Sequence, residues 1–294
     1  MKKILFLFII LTSTTFFSLP ASALDDSALQ KADSWVYQLQ DASISALINT
    51  NYDIVVMDYS KDGTDDEAYT RKQIKRLQNS GKTVLAYFSI GEAEDYRFYW
   101  DEAWDTDPPA WLGPENKNWS GNYKVRYWQN DWWDVGISPY LDRIKEAGFD
   151  GVYLDIIDGY EYWGNHGQGN KKSAKRMIKL IRKIRVNIDT NNNSIVCPQN
   201  GEAIIDEASK KYRKKYWKNI NCIGIEDLFF NSSKSDRAYR KKMLKRFSNH
   251  DVTILNVEYK KKKKKSDYLT KVRNQKFSVI PYLAKPNRDL DSIN

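Results

Sequence analysis

The stretch Pro139-Tyr140-Leu141-Asp142-Arg143-Ile144-Lys145-Glu146-Ala147-Gly148-Phe149-Asp150-Gly151-Val152-Tyr153-Leu154-Asp155-Ile156-Ile157-Asp158 decides the fold. Its first half puts apolar side chains at 140, 141, 144 and 147, one face of a helix. Gly148 follows, where a helix that ends in a left-handed turn favours glycine. The chain then becomes a short apolar run and stops on carboxylates. That is a helix, a turn and a buried strand in twenty residues.

Worked outward, the same alternation recurs. Strands are expected at 36–40, 53–59, 83–92, 150–158, 194–202, 220–230, 251–259 and 277–284. Helices are expected at 44–50, 70–80, 139–147, 171–189, 203–218, 235–249 and 266–275, with Gly81 ending the second as Gly148 ends the third. Apolar strands separated by helices pair in parallel with both faces covered. Eight repeats in about 270 residues predict an α/β protein, a single-domain (β/α)8 TIM barrel over residues 24–294. An open doubly wound sheet is the alternative, but no glycine-rich phosphate loop follows the first strand. The last barrel helix is expected to be short or missing.

Residues 1–23 read as a secretory signal: Lys2 and Lys3, an apolar run over 4–17, then Pro20 and Ala21-Ser22-Ala23. Cleavage near Ala23 implies a secreted or periplasmic protein without stable membrane insertion, since the apolar run is too short for a span. Loss of the two lysines takes the net charge from +9 to +7. The surplus lies in 171–185, 210–218 and the six lysines 260–265, which read as solvated faces; no nucleic-acid motif accompanies them. Cys197 and Cys222 lie in apolar runs and fit either a disulfide or two buried thiols. The two histidines, His166 and His250, are isolated, so neither a metal site nor a cofactor is expected, and nothing calls for a partner subunit; a monomer is expected.

Residues 92–134 break the repeat and are expected to form a long irregular loop after the third strand, of a length that is usually functional. They hold seven of the ten tryptophans: Trp100, Trp104, Trp111, Trp119, Trp128, Trp132 and Trp133. Some should form the loop's own core. Others, with Trp128 and Trp132 as candidates, should offer flat faces to sugar rings.

In such a barrel the C-terminal strand ends form the reactive face. There stand Asp58-Tyr59, then Tyr87 to Glu92 with Ser89 between, Asp155 and Asp158, Gln199-Asn200-Gly201-Glu202, Glu226-Asp227 and Glu258-Tyr259; strand eight carries Tyr282. Six acidic strand ends on a basic body suggest acid–base work by carboxylates. Glycoside hydrolysis needs two, one to protonate the leaving oxygen and one to attack or to activate water. Alternation turns Asp155 inward with Tyr153, and Gly224 leaves room beside Glu226. Pattern alone leaves Glu226 and Glu258 almost equal as its partner.

The runs Asp53-Ile-Val-Val-Met-Asp58-Tyr59, Val84-Leu-Ala-Tyr87-Phe-Ser89-Ile-Gly91-Glu92 and Gly151-Val-Tyr-Leu-Asp155-Ile-Ile-Asp158 resemble glycoside hydrolase family 114, the endo-α-1,4-polygalactosaminidases. Gln199-Asn200-Gly201, Ile225-Glu226-Asp227-Leu-Phe-Phe230 and Arg288-Asp289-Leu290-Asp291 extend the resemblance in order along nearly the whole chain. It implies a metal-free, retaining glycosidase acting on α-1,4-linked galactosamine polymers, with Asp155 as nucleophile and Glu226 as acid/base. The expected substrate-binding residues are Asp58, Tyr59, Tyr87, Ser89, Glu92, Asp158, Tyr160, Gln199, Asn200, Glu202, Glu258 and Tyr282. An acidic cleft of Asp58, Glu92, Asp155, Asp158, Glu202 and Glu258 would attract a cationic, partly deacetylated hexosamine polysaccharide. The rival readings are a non-catalytic polysaccharide-binding barrel, a hydrolase of another, neutral α-glycan, and a nucleic-acid binder.

Overall fold

A computed structural model describes residues 27–189 and 193–294; the expected signal segment 1–23 lies outside them. All eight expected parallel strands are present: β1 (Trp35–Tyr37), β2 (Ile54–Met57), β3 (Thr83–Ser89), β7 (Gly151–Asp155), β8 (Ile195–Pro198), β9 (Cys222–Glu226), β10 (Thr253–Tyr259) and β11 (Ile280–Ala284). β1-β2-β3-β7-β8 form one sheet and β9-β10-β11 another, every pair parallel. A parallel bridge between Gln199 and Gly224, with Asn221 N donating to Val196 O (2.9 Å), links β8 to β9. At the other edges the Trp35 indole N–H donates to Ile280 O (3.0 Å). Helices fill the connections, and the sheet residues are buried on both faces, as βαβ crossovers require.

The helix starts and stops follow local chemistry. Thr70 and Gln73 make reciprocal bonds at the head of Arg71–Asn79. Gly148 closes Ser138–Ala147 at φ 80, a conformation that costs other residues a β-carbon clash. The single helix expected over 203–218 is two, Ile204–Glu207 and Lys210–Trp217, because Ala208 and Ser209 take extended backbone between them. Among the described residues, no helix is long and apolar enough to cross a membrane.

The expectation of an irregular loop over 92–134 is overturned. The segment builds its own antiparallel sheet from β4 (Glu92–Glu94), β5 (Leu112–Asn116) and β6 (Trp119–Val125), in the order β4-β6-β5. Its tryptophans mainly form a core. Trp132 is wholly buried, donates its indole N–H to Ile90 O (3.2 Å), and packs against Trp111 at 5.0 Å and Tyr99 at 5.4 Å. Trp128 is half-buried under the Arg176 guanidinium at 4.2 Å. Neither offers the open face expected of it. Trp119, at 55% exposure, does stand in solvent.

Cys197 and Cys222 are paired in a disulfide between β8 and β9, both buried. One layer higher, a β-carbon on Gly224 would fall 1.7 Å from the Tyr153 hydroxyl, so only glycine admits that ring. Emptying the space of Trp132 should be costly: Trp132→Ala is expected to lower unfolding free energy by about 3–5 kcal/mol. Trp119→Ala should stay within about 0.5 kcal/mol of the parent. Urea denaturation of the two variants side by side checks the ranking, and equal effects would contradict this assignment of core and surface.

Candidate active site

Three neighbouring strands end alike. Ile156, Asn200 and Asp227, at φ 56, 58 and 53, follow Asp155, Gln199 and Glu226 directly in left-handed backbone. For a β-branched residue such as Ile156 that conformation is unfavourable and needs support from its surroundings. A β-carbon on Gly91 would collide with Ile156 O, so glycine there lets the turn pack closely. The turn brings Ile156 N to donate to Asp155 Oδ1 (2.7 Å), while Tyr87 OH donates to Oδ2 (3.0 Å). Both oxygens of Asp155 are thereby oriented.

Glu226 is held as firmly. Asn200 Nδ2 donates to its Oε2 (2.9 Å), Tyr259 OH donates to its Oε1, and Glu226 N donates to Asn200 Oδ1 (3.1 Å). Burial, and next the Glu226 carboxylate, push the Asp155 carboxyl well above its ordinary range, against the donors Ile156 N and Tyr87 OH. Asp158 keeps an edge open to solvent, yet the dense protein around it and then Glu161 raise its carboxyl to about 6.

The other expected site residues divide. Gln199 accepts from Tyr37 OH (3.0 Å) beside the pair, and Asn200 bonds Glu226 itself. Ser89 pairs in register with Asp155, but its hydroxyl donates to Glu92 O (3.1 Å). Asp58 is neutralised by a two-pronged bond from Arg97 (3.0 and 2.7 Å), which also binds Glu94 (2.6 Å), all three buried. Glu92 is paired with Lys124 and accepts from Asn116 (2.9 Å); Glu202 is paired with Arg240 (2.5 Å). The broad acidic cleft expected from the sequence therefore shrinks. Asp155, Glu226 and Asp158 remain without an ion pair among the described residues.

Four residues are not brought to the pair. Tyr59 donates to Gly63 O (3.2 Å) and Asp65 (3.0 Å), and Tyr160 is buried with its hydroxyl on Glu161 (2.8 Å). Tyr282 packs on Trp35 at 5.8 Å and Tyr52 at 5.9 Å. Glu258, the rival partner, is fully buried and accepts from Phe229 N (2.6 Å), while its neighbour Tyr259 reaches Glu226. Alternation along Leu255, Val257 and Tyr259 carries this signal: residue 259 shares the inward face and 258 does not. Tyr37, Arg97 and Arg240 were also missed; Tyr153 was placed on the inward face and Arg288 in the terminal motif, but neither was given a role at the site. Tyr37 ends the short first strand as the others do; Arg97 lies in the inserted segment, where no periodicity applies.

Two oriented carboxylates above the C-terminal ends of parallel strands are the equipment of a glycosidase. The chain belongs to glycoside-hydrolase family GH114, whose model matches residues 18–294. It is 39% identical to an uncharacterised protein of Methanocaldococcus jannaschii over 88% of this chain and 78% of that one. It is 36% identical to one of Thermotoga maritima, over 98% and 92%. Among solved structures it shares the fold of Aspergillus fumigatus Ega3, crystallised with galactosamine, at a TM-score of 0.64, with 16% identity over 88% of this chain and 94% of that one. The glycoside hydrolase domain of PelA from Pseudomonas aeruginosa gives the same TM-score at 13% identity, over 89% and 97%.

The misplaced candidate makes its own prediction. Burial raises the Glu258 carboxyl to about 7, with Asp227 adding to it and the Phe229 N–H opposing. The folded state thus holds this proton to higher pH than the unfolded chain, whose ordinary value is 4.5. Its contribution to stability is complete below about 4.5 and is lost as pH rises through about 7. Glu258→Gln escapes that loss. Relative to the parent it should gain up to about 3 kcal/mol between pH 4.5 and 8 in urea titrations; a difference independent of pH would refute the assignment.

Proposed function

We propose that the protein hydrolyses α-1,4-linked, galactosamine-containing polysaccharide with retention of anomeric configuration, Asp155 acting as nucleophile and Glu226 as acid/base. The observation that carries this reading is the facing pair itself: two carboxylates on β7 and β9, each aimed by its own donors and neither ion-paired. Glu226 protonates the glycosidic oxygen as the Asp155 carboxylate attacks the anomeric carbon from the opposite face. A covalent glycosyl-enzyme forms and the leaving sugar departs. Water then attacks with Glu226 taking its proton, which restores both groups.

The donors on Asp155 oppose the upward push of burial and of Glu226, and a cationic substrate entering the cleft adds to them in favouring the ionised form that a nucleophile requires. The substrate class draws on two points. Ega3 was crystallised with galactosamine, and the unpaired acids Asp155, Glu226 and Asp158 complement a hexosamine ammonium group. Around them we read the two sheets as one closed (β/α)8 barrel that acts as a monomer. We further read residues 1–23 as an export signal and 24–294 as the exported domain; the buried disulfide suits an oxidising compartment.

Partly deacetylated α-1,4-galactosaminoglycan should be cleaved, and proton NMR should show the α-anomer as the first-formed reducing end. An initial β-anomer would refute retention. Glu226→Gln should lower the rate on polymer by about 10²–10⁴-fold with the fold intact, and Asp155→Asn should lose at least as much. Turnover of a neutral α-glucan with equal efficiency would remove the substrate assignment.

A further inference from the structure

We infer that Arg288, in the segment that follows β11, is a positioning residue for Glu226, acting through Tyr259 and Asp227; the inference rests on Glu226 being the acid/base proposed above. Residues 285–294 form no helix and cross instead from β11 to the end of β1. Leu39 N and Gln40 N both donate to Leu290 O (2.8 and 3.2 Å), and Gln38 Nε2 donates to Asp291 O (3.0 Å). Arg288 and Leu290 both take left-handed backbone, at φ 68 and 52, so the segment doubles back tightly at this point. That fold delivers the Arg288 guanidinium to two neighbours of Glu226 at once.

One neighbour is Tyr259, whose ring centroid lies 4.2 Å below the guanidinium carbon. The other is Asp227, which Arg288 Nη2 binds directly. Asp227 follows Glu226 in sequence, and its own N–H donates to Val257 O (3.1 Å). A planar cation on a ring face fixes the ring's tilt, and the tilt fixes where the hydroxyl points. Here the hydroxyl donates to Glu226 Oε1. Arg288 therefore clamps the acid/base from its chain neighbour and from its donor together.

It also sets the local charge, because its guanidinium neutralises Asp227 immediately beside Glu226. The ionisable groups facing Glu226 are Asp155 and Tyr153 of β7, Asp158 beyond it, Tyr37 of β1, Tyr259 of β10 and Arg288. Arg240 of helix Lys234–Ser248 touches the Glu226 backbone oxygen (2.9 Å), and its positive charge is paired with Glu202. Loss of Arg288 leaves the Asp227 carboxylate uncompensated beside Glu226 and frees the Tyr259 donor. Both changes withdraw stabilisation from a negative charge on the Glu226 carboxyl.

The test compares the parent with Arg288→Gln, similar in size and neutral, and Arg288→Lys, charged but not planar. Two readouts are taken: the pH profile of kcat/KM on deacetylated α-1,4-galactosaminoglycan, and ¹³C NMR titration of carboxyl-labelled glutamate, with Glu226 identified by Glu226→Gln. In Arg288→Gln the alkaline limb and the Glu226 midpoint should rise together by about half a unit to one unit. Its kcat should fall several-fold, more than KM rises, and Arg288→Lys should recover at least half of the shift. An unmoved Glu226 midpoint in Arg288→Gln, whatever the loss of rate or stability, would overturn the inference. A parent without activity on the polymer would instead overturn the proposed function, while the carboxyl titration would still decide the role of Arg288.

Discussion

The Tyr153 hydroxyl lies where a side chain at residue 224 would begin. That close approach, a ring from β7 laid on bare backbone of β9, sets how near the two strands' ends come to each other. Residues 155 and 226 follow two positions later on the same faces, so their carboxylates inherit the separation. The left-handed residues after each strand then turn the chain away sharply and leave both carboxyl groups at the lip. Both carboxylates of the proposed mechanism sit on this layer. A side chain at 224 would prise the strands apart, and a smaller residue at 153 would let them sag.

Charge is distributed with similar economy. Asp58, Glu92 and Glu202 each meet a cation, from Arg97, Lys124 and Arg240, so three of the acidic strand ends serve to hold the framework. The Asp58–Arg97–Glu94 cluster is buried, where removing one partner strands an uncompensated charge. Only the groups left over are available to a ligand. An excess of acids in the sequence therefore overstates the field in the cleft, because ion pairing is a property of distant segments meeting.

What could be read from the chain followed from local periodicity. Strands such as 151–155 are apolar on both faces, and helices such as 71–79 carry their caps, so both announce themselves in one sequence. The inserted sheet does not. β5 reads Leu-Gly-Pro-Glu-Asn and β6 contains Gly121 and Asn122, residues that disfavour strands and offer no clean alternation. Its strands exist because aromatic rings from 99 to 132 pack beneath them. The choice between Glu226 and Glu258 was open for another reason: both end buried strands, and the two differ only in which face the register turns inward. Tyr259 was within reach of the alternation, whereas the partnership of Arg288 with Asp227 depends on a turn that no spacing encodes.

The anchoring of residues 285–294 on β1 has a consequence for how the molecule comes into being. Trp35 and Ile280 are bonded across 245 positions, and Leu39 and Leu290 across a similar span. Each of these bonds closes a loop of nearly the whole domain. Until they form, β1 has an unsatisfied edge and Tyr259 lacks the cation above its ring. Such long-range closure is slow, since the entropy of a large loop is lost before any contact rewards it. A folding chain of this protein should therefore gain most of its helices and strands before the layer that holds Asp155 and Glu226 is complete.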